Sequence, residues 1–260
     1  MVTWSLVVLL ANCAAPLLAA DELFLTETNA FPGKLVVCRD GRTIDGVHRR
    51  PVAADPAYPN AVMRASQVAL DVDGKIYFCS GLDNYVMHYV PGGHEIAVLE
   101  AEGQIRDVAC TEEPQVVYYS VLDTPQNGMP LGDGRIYRRH LGEGAPRLMT
   151  TVRQSDVGGN WWGAFTVLDG VIHLATFEPD SRIFKWTGDR PVPVATATHF
   201  QITGLARPNA SEFLFTTDSG KVYRTRDFST CEAVAATDIQ LRDVAIRPFA
   251  GAVRPSSPRL

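Results

Sequence analysis

An all-β protein built by repetition is what this chain predicts, and three observations predict it. Gln104-Ile105-Arg106-Asp107-Val108-Ala109 returns almost letter for letter as Gln240-Leu241-Arg242-Asp243-Val244-Ala245, with a looser copy at Gln201-Ile202-Thr203-Gly204-Leu205-Ala206. Gln67-Val68 opens a fourth copy, and Trp161-Trp162 fills the corresponding place in a fifth. Each copy is followed by short alternating apolar stretches set between Gly, Asp, Asn or Pro, the pattern of half-buried strands. No intervening segment has a helical period, which argues against βαβ folds. One supersecondary unit repeated around a closed object is a β-propeller. The predicted fold is a single propeller of five four-stranded blades, with six as the alternative.

The elements follow from alternation and turn residues. After Gln67 come strands at 75–79, 85–89 and 95–99, and after Gln104 at 115–119, 135–138 and 147–150. The unit opened by Trp161 gives 171–175, 182–186 and 192–194, and that opened by Gln201 gives 212–215, 221–224 and 232–234. The corresponding residues Ile76, Val116, Ile172 and Phe213 lie 40, 56 and 41 positions apart, a blade-like spacing. The last copy, at Gln240, has no further strands after it. Strands at 22–25, 34–37 and 50–53 supply them, so the C-terminal strand completes the first blade and the ring closes by hydrogen bonds, leaving no bare sheet edge at the junction.

Residues 1–20 carry no charge, contain Leu6-Val7-Val8-Leu9-Leu10 and end in small residues before Asp21-Glu22. This reads as a secretory signal cleaved after Ala20, with a lipoprotein signal at Cys13 as the rival. The propeller domain is then 21–248, and 249–260 is a tail too poor in apolar residues to pack. The expected compartment is secreted or periplasmic. Cys38, Cys79, Cys110 and Cys231 remain after cleavage, enough for disulfides in an oxidising compartment, with buried free thiols as the alternative. A net charge of −5 without a basic stripe argues against nucleic acid. No run beyond the signal is long enough to cross a membrane as a helix, and a monomer is expected. Asn209-Ala210-Ser211 is a glycosylation sequon on a turn.

Asp73-Gly74-Lys75-Ile76-Tyr77-Phe78 and Ser219-Gly220-Lys221-Val222-Tyr223 resemble the strand turns of the propeller group that includes NHL-repeat proteins, gluconolactonase-like (SMP-30) proteins and virginiamycin B lyase. The resemblance spans most of the mature chain and concerns the fold, which does not by itself carry a function.

In a propeller the first strand of each blade lines the central channel, and the long loops 54–66, 122–134 and 154–160 all fall on one face beside its mouth. Gln67, Gln104, Gln201 and Gln240 then form a near-ring of amides at that mouth, interrupted by Trp161. Arg106 and Arg242 stand two residues further on, and Asn160 precedes Trp161 in a glycine-rich stretch. Amides, guanidiniums that fork onto carboxylates and an indole face together suit a small polar or carbohydrate-like ligand. An extracellular protein partner would use the same loops. Two bland readings stand beside this: Gln side chains binding neighbouring backbone, and Arg106 pairing with Asp243. The functional expectation is a binding module that needs no cofactor. The alternative, implied by the SMP-30 resemblance, is a metal-dependent lactonase-like hydrolase with a divalent cation such as calcium. Its candidate donors are Glu27, Asp107, Asn160 and Asp243. No catalytic His or Ser motif is present.

Overall fold

The structure, a computed structural model, describes residues 22–27, 35–39, 42–47, 67–79, 84–89, 96–111, 113–122, 133–161, 164–188, 190–196, 198–237 and 240–247. The first strands are β1 (Glu22–Glu27), β2 (Leu35–Arg39) and β3 (Arg42–Val47). Next come β4 (Gln67–Leu70), β5 (Ile76–Cys79), β6 (Tyr85–Tyr89) and β7 (Ile96–Glu100). The third group is β8 (Ile105–Cys110), β9 (Val116–Leu122), β10 (Gly134–His140) and β11 (Arg147–Val152). After a helical turn, α1 (Gln154–Val157), follow β12 (Phe165–Leu168), β13 (Val171–Ala175), β14 (Ile183–Thr187) and β15 (Arg190–Ala195). The last are β16 (Ile202–Asn209), β17 (Glu212–Thr217), β18 (Lys221–Thr225), β19 (Cys231–Ala236) and β20 (Leu241–Arg247).

These strands form five four-stranded antiparallel sheets, four of them consecutive in sequence and one in the order β20-β1-β2-β3. The protein is all-β, and its sheets take a β-propeller arrangement. The innermost strands neighbour one another in the cycle β20, β4, β8, β12, β16 and back to β20. The anticipated joining of the two ends is present: β1 pairs with β20, setting Leu25 opposite Val244 and Phe24 opposite Ala245.

Alternation puts one side of each sheet against the previous sheet and the other against the next. Ala69, Tyr77 and Cys79 thus meet Val108, Val117 and Tyr119, while Ala109, Val116 and Tyr118 meet Phe165, Ile172 and Leu174. Ala175 and Ile183 meet Phe213 and Phe215, and Leu214 and Val222 meet Leu23, Leu25 and Val244. The core is therefore a series of layers between sheets, each supplied by residues from two different repeats. Between β12 and β13 the turn Asp169-Gly170 has φ of +50° and +73°, the left-handed pair that a two-residue hairpin needs. The outer strand β15 carries Pro191 and Pro193, which lack the N–H a foreign strand would use.

Three expectations change. The third strand of the first sheet is Arg42–Val47, not 50–53; Arg39 pairs with Arg42, and Asp40-Gly41 stands between them in the sequence, a strong hairpin signal. Residues 50–53 lie outside the described residues. The fourth inner strand begins at Phe165 rather than at Trp161. Cys79, Cys110 and Cys231 are free thiols, so no disulfide joins them. The signal segment 1–20, the loop 54–66, most of the loop 122–134 and the tail 249–260 also lie outside the described residues. No helix among the described residues is long and apolar enough to cross a membrane.

Candidate functional site

Register decides which residues share a level around the inner strands. Val68, Val108, Phe165, Leu205 and Val244 stand opposite Phe78, Tyr119, Leu174, Phe215 and Leu25, respectively. The residue before each is Gln67, Asp107, Ala164, Gly204 and Asp243. Gln67 is therefore the counterpart of the two aspartates and not of Gln104, as the sequence match suggested. Gln104, Gln201 and Gln240 immediately precede β8, β16 and β20. The four amides thus occupy two levels instead of one ring.

The three closest copies share a second feature. In β8, β16 and β20 the pairing register shifts between Ile105 and Asp107, between Ile202 and Gly204, and opposite Leu241 and Asp243. The additional residues are Arg106, Thr203 and Arg242. A bulge re-aims the side chain at the inserted position, and here it gathers the two arginines. Arg106 lies close enough to Arg242 to lower its proton affinity, after the larger effect of burial. Burial likewise lowers that of Arg242, opposed by the nearby Asp107, Asp243 and Cys79. Both arginines are half-buried as residues. Phe177, on the loop between β13 and β14, sits with its ring centre 5.8 Å from the Arg242 guanidinium carbon. At the Gly204 position the small residue has a steric reason: a Cβ there would lie 2.3 Å from Asp243 Oδ1 and 2.4 Å from its Cα.

The aspartates are buried and fully engaged with the backbone. Asp107 Oδ2 accepts the Phe165 N–H at 2.9 Å and Oδ1 accepts the Val108 N–H at 2.7 Å. Asp243 Oδ2 accepts the Val68 N–H at 2.9 Å, and the Val244 N–H also donates to this carboxylate. Burial holds both carboxyls well above their ordinary range, and at Asp107 the neighbouring Asp243 charge adds to it. Gln67 is buried and its Oε1 accepts the Cys79 thiol at 3.6 Å.

The remaining candidates are placed elsewhere. Trp161 is 3% exposed and packs with Leu122, Val157 and Phe165; its Nε1 donates to the Ala164 carbonyl at 3.3 Å. It is a core residue between two sheets, not a platform in the channel, because β12 starts four residues after it. Asn160 is held from several sides. Its Oδ1 accepts from Gln154 Nε2 at 2.8 Å, its N–H donates to Glu178 Oε1 at 3.3 Å, and its carbonyl accepts from the Phe177 N–H at 2.7 Å. Arg182 joins Glu178 to the Gly158 carbonyl, so the segment 154–160 is a braced corner. Sequence reasoning missed Cys79 and Phe177 as neighbours of the arginines. The sequence offers Asp107 and Asp243 as metal donors and Asp243 as an ion-pair partner of Arg106; their role as acceptors of backbone N–H groups from the next sheet has its signal in their exact repetition after Arg.

No family model matches the chain, and no curated protein matches it in sequence. Among solved structures, a gluconolactonase of Xanthomonas campestris is similar at 12% identity and a TM-score of 0.52, over 85% of this chain and 74% of that one. The chain shares the propeller fold of that protein. A further gluconolactonase-like structure is 14% identical over 86% of this chain and 82% of its own, at a TM-score of 0.49. At such identities the likeness concerns the fold alone.

A calcium-type site needs several converging oxygen donors. Among the described residues no three His, Cys, Asp or Glu side chains converge in that way. Asp107 and Asp243 already accept two backbone N–H groups each and stand beside the Arg242 cation, and Asn160 Oδ1 serves Gln154. These residues do not fit a divalent cation.

Proposed function

We propose that this protein is a five-bladed, exported propeller that binds a small polar ligand at the channel mouth, with Arg106 and Arg242 as the recognising groups. One observation carries the reading: two equivalent bulges, 136 residues apart in sequence, insert two half-buried arginines at the same level of their inner strands, with Arg242 near enough to lower the proton affinity of Arg106. Like charges held close in a poorly solvated place are stabilised by an occupant that accepts hydrogen bonds from both. Gln67, Gln104, Gln201 and Gln240 add amide donors and acceptors near the same inner strands, and Phe177 offers an apolar face. The five sheets and the cycle of their inner strands support the count of five blades.

The lactonase-like alternative draws support from the shared fold, but the donor set speaks against its cation. Thermal-shift and calorimetric titration with a panel of neutral sugars, polyols and small carboxylic acids tests the proposal. Specific binding by the parent protein, weakened at least tenfold in Arg106→Gln and Arg242→Gln variants of unchanged fold, is the expected result. Binding untouched by both substitutions, or no binding by any compound, overturns it.

A further inference from the structure

We infer that His173 and Arg207 form an acid-triggered latch on the β16–β17 hairpin. With His173 neutral, Arg207 lies over its ring and holds the hairpin; protonation of His173 expels Arg207 and lets the hairpin open. The latch lies toward the hairpin end of β16, four residues beyond Thr203, and does not depend on the channel-binding reading.

The contact is a stack rather than a hydrogen bond. Arg207 Nη1 is 3.3 Å from His173 Nε2 and 3.5 Å from Nδ1. An imidazole lone pair points away from the ring, so a donor placed along either one stands far from the other nitrogen. Near-equal distances instead put Nη1 over the face of the ring. Phe213 completes the arrangement: its ring meets that of His173 edge-on, 5.2 Å between centres, with the Arg207 guanidinium carbon 4.6 Å from the Phe213 centre. A guanidinium is attracted to the face of a neutral ring and repelled by an imidazolium.

Arg207 also braces the hairpin. Its Nη2 donates to the Ala210 carbonyl, inside the turn in which Asn209 pairs with Glu212. The other bonds at the tip run from the Ser211 N–H to Asn209 Oδ1 and from Asn209 Nδ2 to Glu212 Oε2, each at 2.9 Å. Both are exposed, where water competes with them. Seated over His173, Arg207 leaves its own Nε buried with no acceptor among the described residues. Departure therefore costs little at that atom, since water satisfies it once the side chain swings out. Arg207 is half-buried and can move, whereas His173 is 3% exposed at the centre of β13 and cannot.

The surrounding charges favour expulsion. Lys185 stands opposite His173 on β14, and its partner on β12 is the neutral Thr166. Burial first, then the Arg207 charge, lowers the proton affinity of His173, opposed by a bond to the Val171 backbone and reinforced by Lys185. The nearby acids serve other groups: Asp169, on the β12–β13 turn, acts on Arg207, and Glu212 is held by Asn209. Protonation thus sets three cations together, and the mobile one leaves.

The test follows histidine ring resonances and backbone hydrogen exchange of the whole protein from neutral pH to about pH 4, with protection corrected for the intrinsic pH dependence of exchange. His173 is assigned by its absence from His173→Gln. The expected result is that His173 titrates well below the ordinary histidine range. On the same curve the amides from Asn209 to Glu212 lose about tenfold or more of their protection, while those of β8 and β9 keep theirs. In His173→Gln the hairpin stays protected throughout. In Arg207→Gln it exchanges fast at every pH and the His173 midpoint rises. Hairpin protection that is unchanged as His173 titrates, opening that survives in His173→Gln, or unfolding of the whole domain before His173 titrates overturns the inference. Where His173→Gln does not fold, Arg207→Gln decides alone, and parent-like hairpin protection in it at neutral pH overturns the latch.

Discussion

The carboxylate of Asp243 accepts the backbone N–H of Val68 at 2.9 Å across 175 residues of sequence. Asp107 repeats the contact with Phe165 at 2.9 Å. In both cases the acceptor lies on an inner strand that is bulged one residue earlier, and the donor lies on the inner strand of the next sheet, which has no bulge. The aspartates are therefore fasteners between neighbouring sheets. The inserted residues of these bulges are Arg106 and Arg242. One two-residue motif, Arg-Asp, thus recurs at the bulges of two inner strands.

Removing a fastener leaves a buried N–H without its acceptor. Asp107→Ala and Asp243→Ala each lower stability by about 2–4 kcal/mol, measured by chemical denaturation. A loss below about 0.5 kcal/mol would mean that these contacts do not hold the sheets together. Asn at either site retains one acceptor oxygen but turns a donor toward a backbone N–H, and falls in between.

Gly204→Ala inserts a methyl group against Asp243 Oδ1 and against its backbone. Because backbone cannot step aside as a flexible side chain does, a loss of about 3 kcal/mol is expected in thermal or urea unfolding. Wild-type stability in this variant would contradict the close approach of β16 and β20.

Trp161→Ala empties a site in the largest apolar layer and costs about 3–5 kcal/mol. Trp161→Phe, which keeps most of the volume and gives up the hydrogen bond to Ala164, leaves ligand affinity unchanged in titration. A selective loss of binding in the Phe variant would restore the indole to the channel mouth.

Stability responds to pH through two opposed groups. His173 is buried beside Arg207, with Nε2 and Nη1 3.3 Å apart, and burial followed by the Arg207 charge lowers its pKa to about 4. The folded state thus binds fewer protons than the unfolded one between about 4 and 6.5. The stability from neutral His173 is present above 6.5 and is lost as pH falls toward 4, by an amount up to about 3 kcal/mol. The Asp107–Asp243 pair has the opposite sign. Its raised folded-state affinity contributes stability fully present below about pH 4, which is lost as pH rises through the pair's own titration. Denaturation midpoints across pH therefore show less loss on acidification in His173→Gln, and less loss on alkalinisation in Asp243→Asn, than in the parent. Parallel profiles for all three proteins would count against both assignments.

The sequence by itself determined the repeat, the strand content and the pairing of the two ends. These follow from side-chain alternation, turn residues and a copy of the inner-strand motif with no further strands after it, all of which are local signals. Tertiary structure decided where the repeated residues point. The match of Gln67 to Gln104 was a match of letters, whereas hydrogen-bond register aligned Gln67 with Asp107 and Asp243, since β8 and β20 contain an inserted residue that β4 lacks. A bulge leaves the amino-acid pattern nearly unchanged and yet turns every later side chain to the other face. Trp161 similarly read as an inner-strand residue until β12 was seen to begin at Phe165. The meeting of Arg106, Arg242 and Phe177 depends on three different sheets packing around one axis, and no single stretch of chain encodes it.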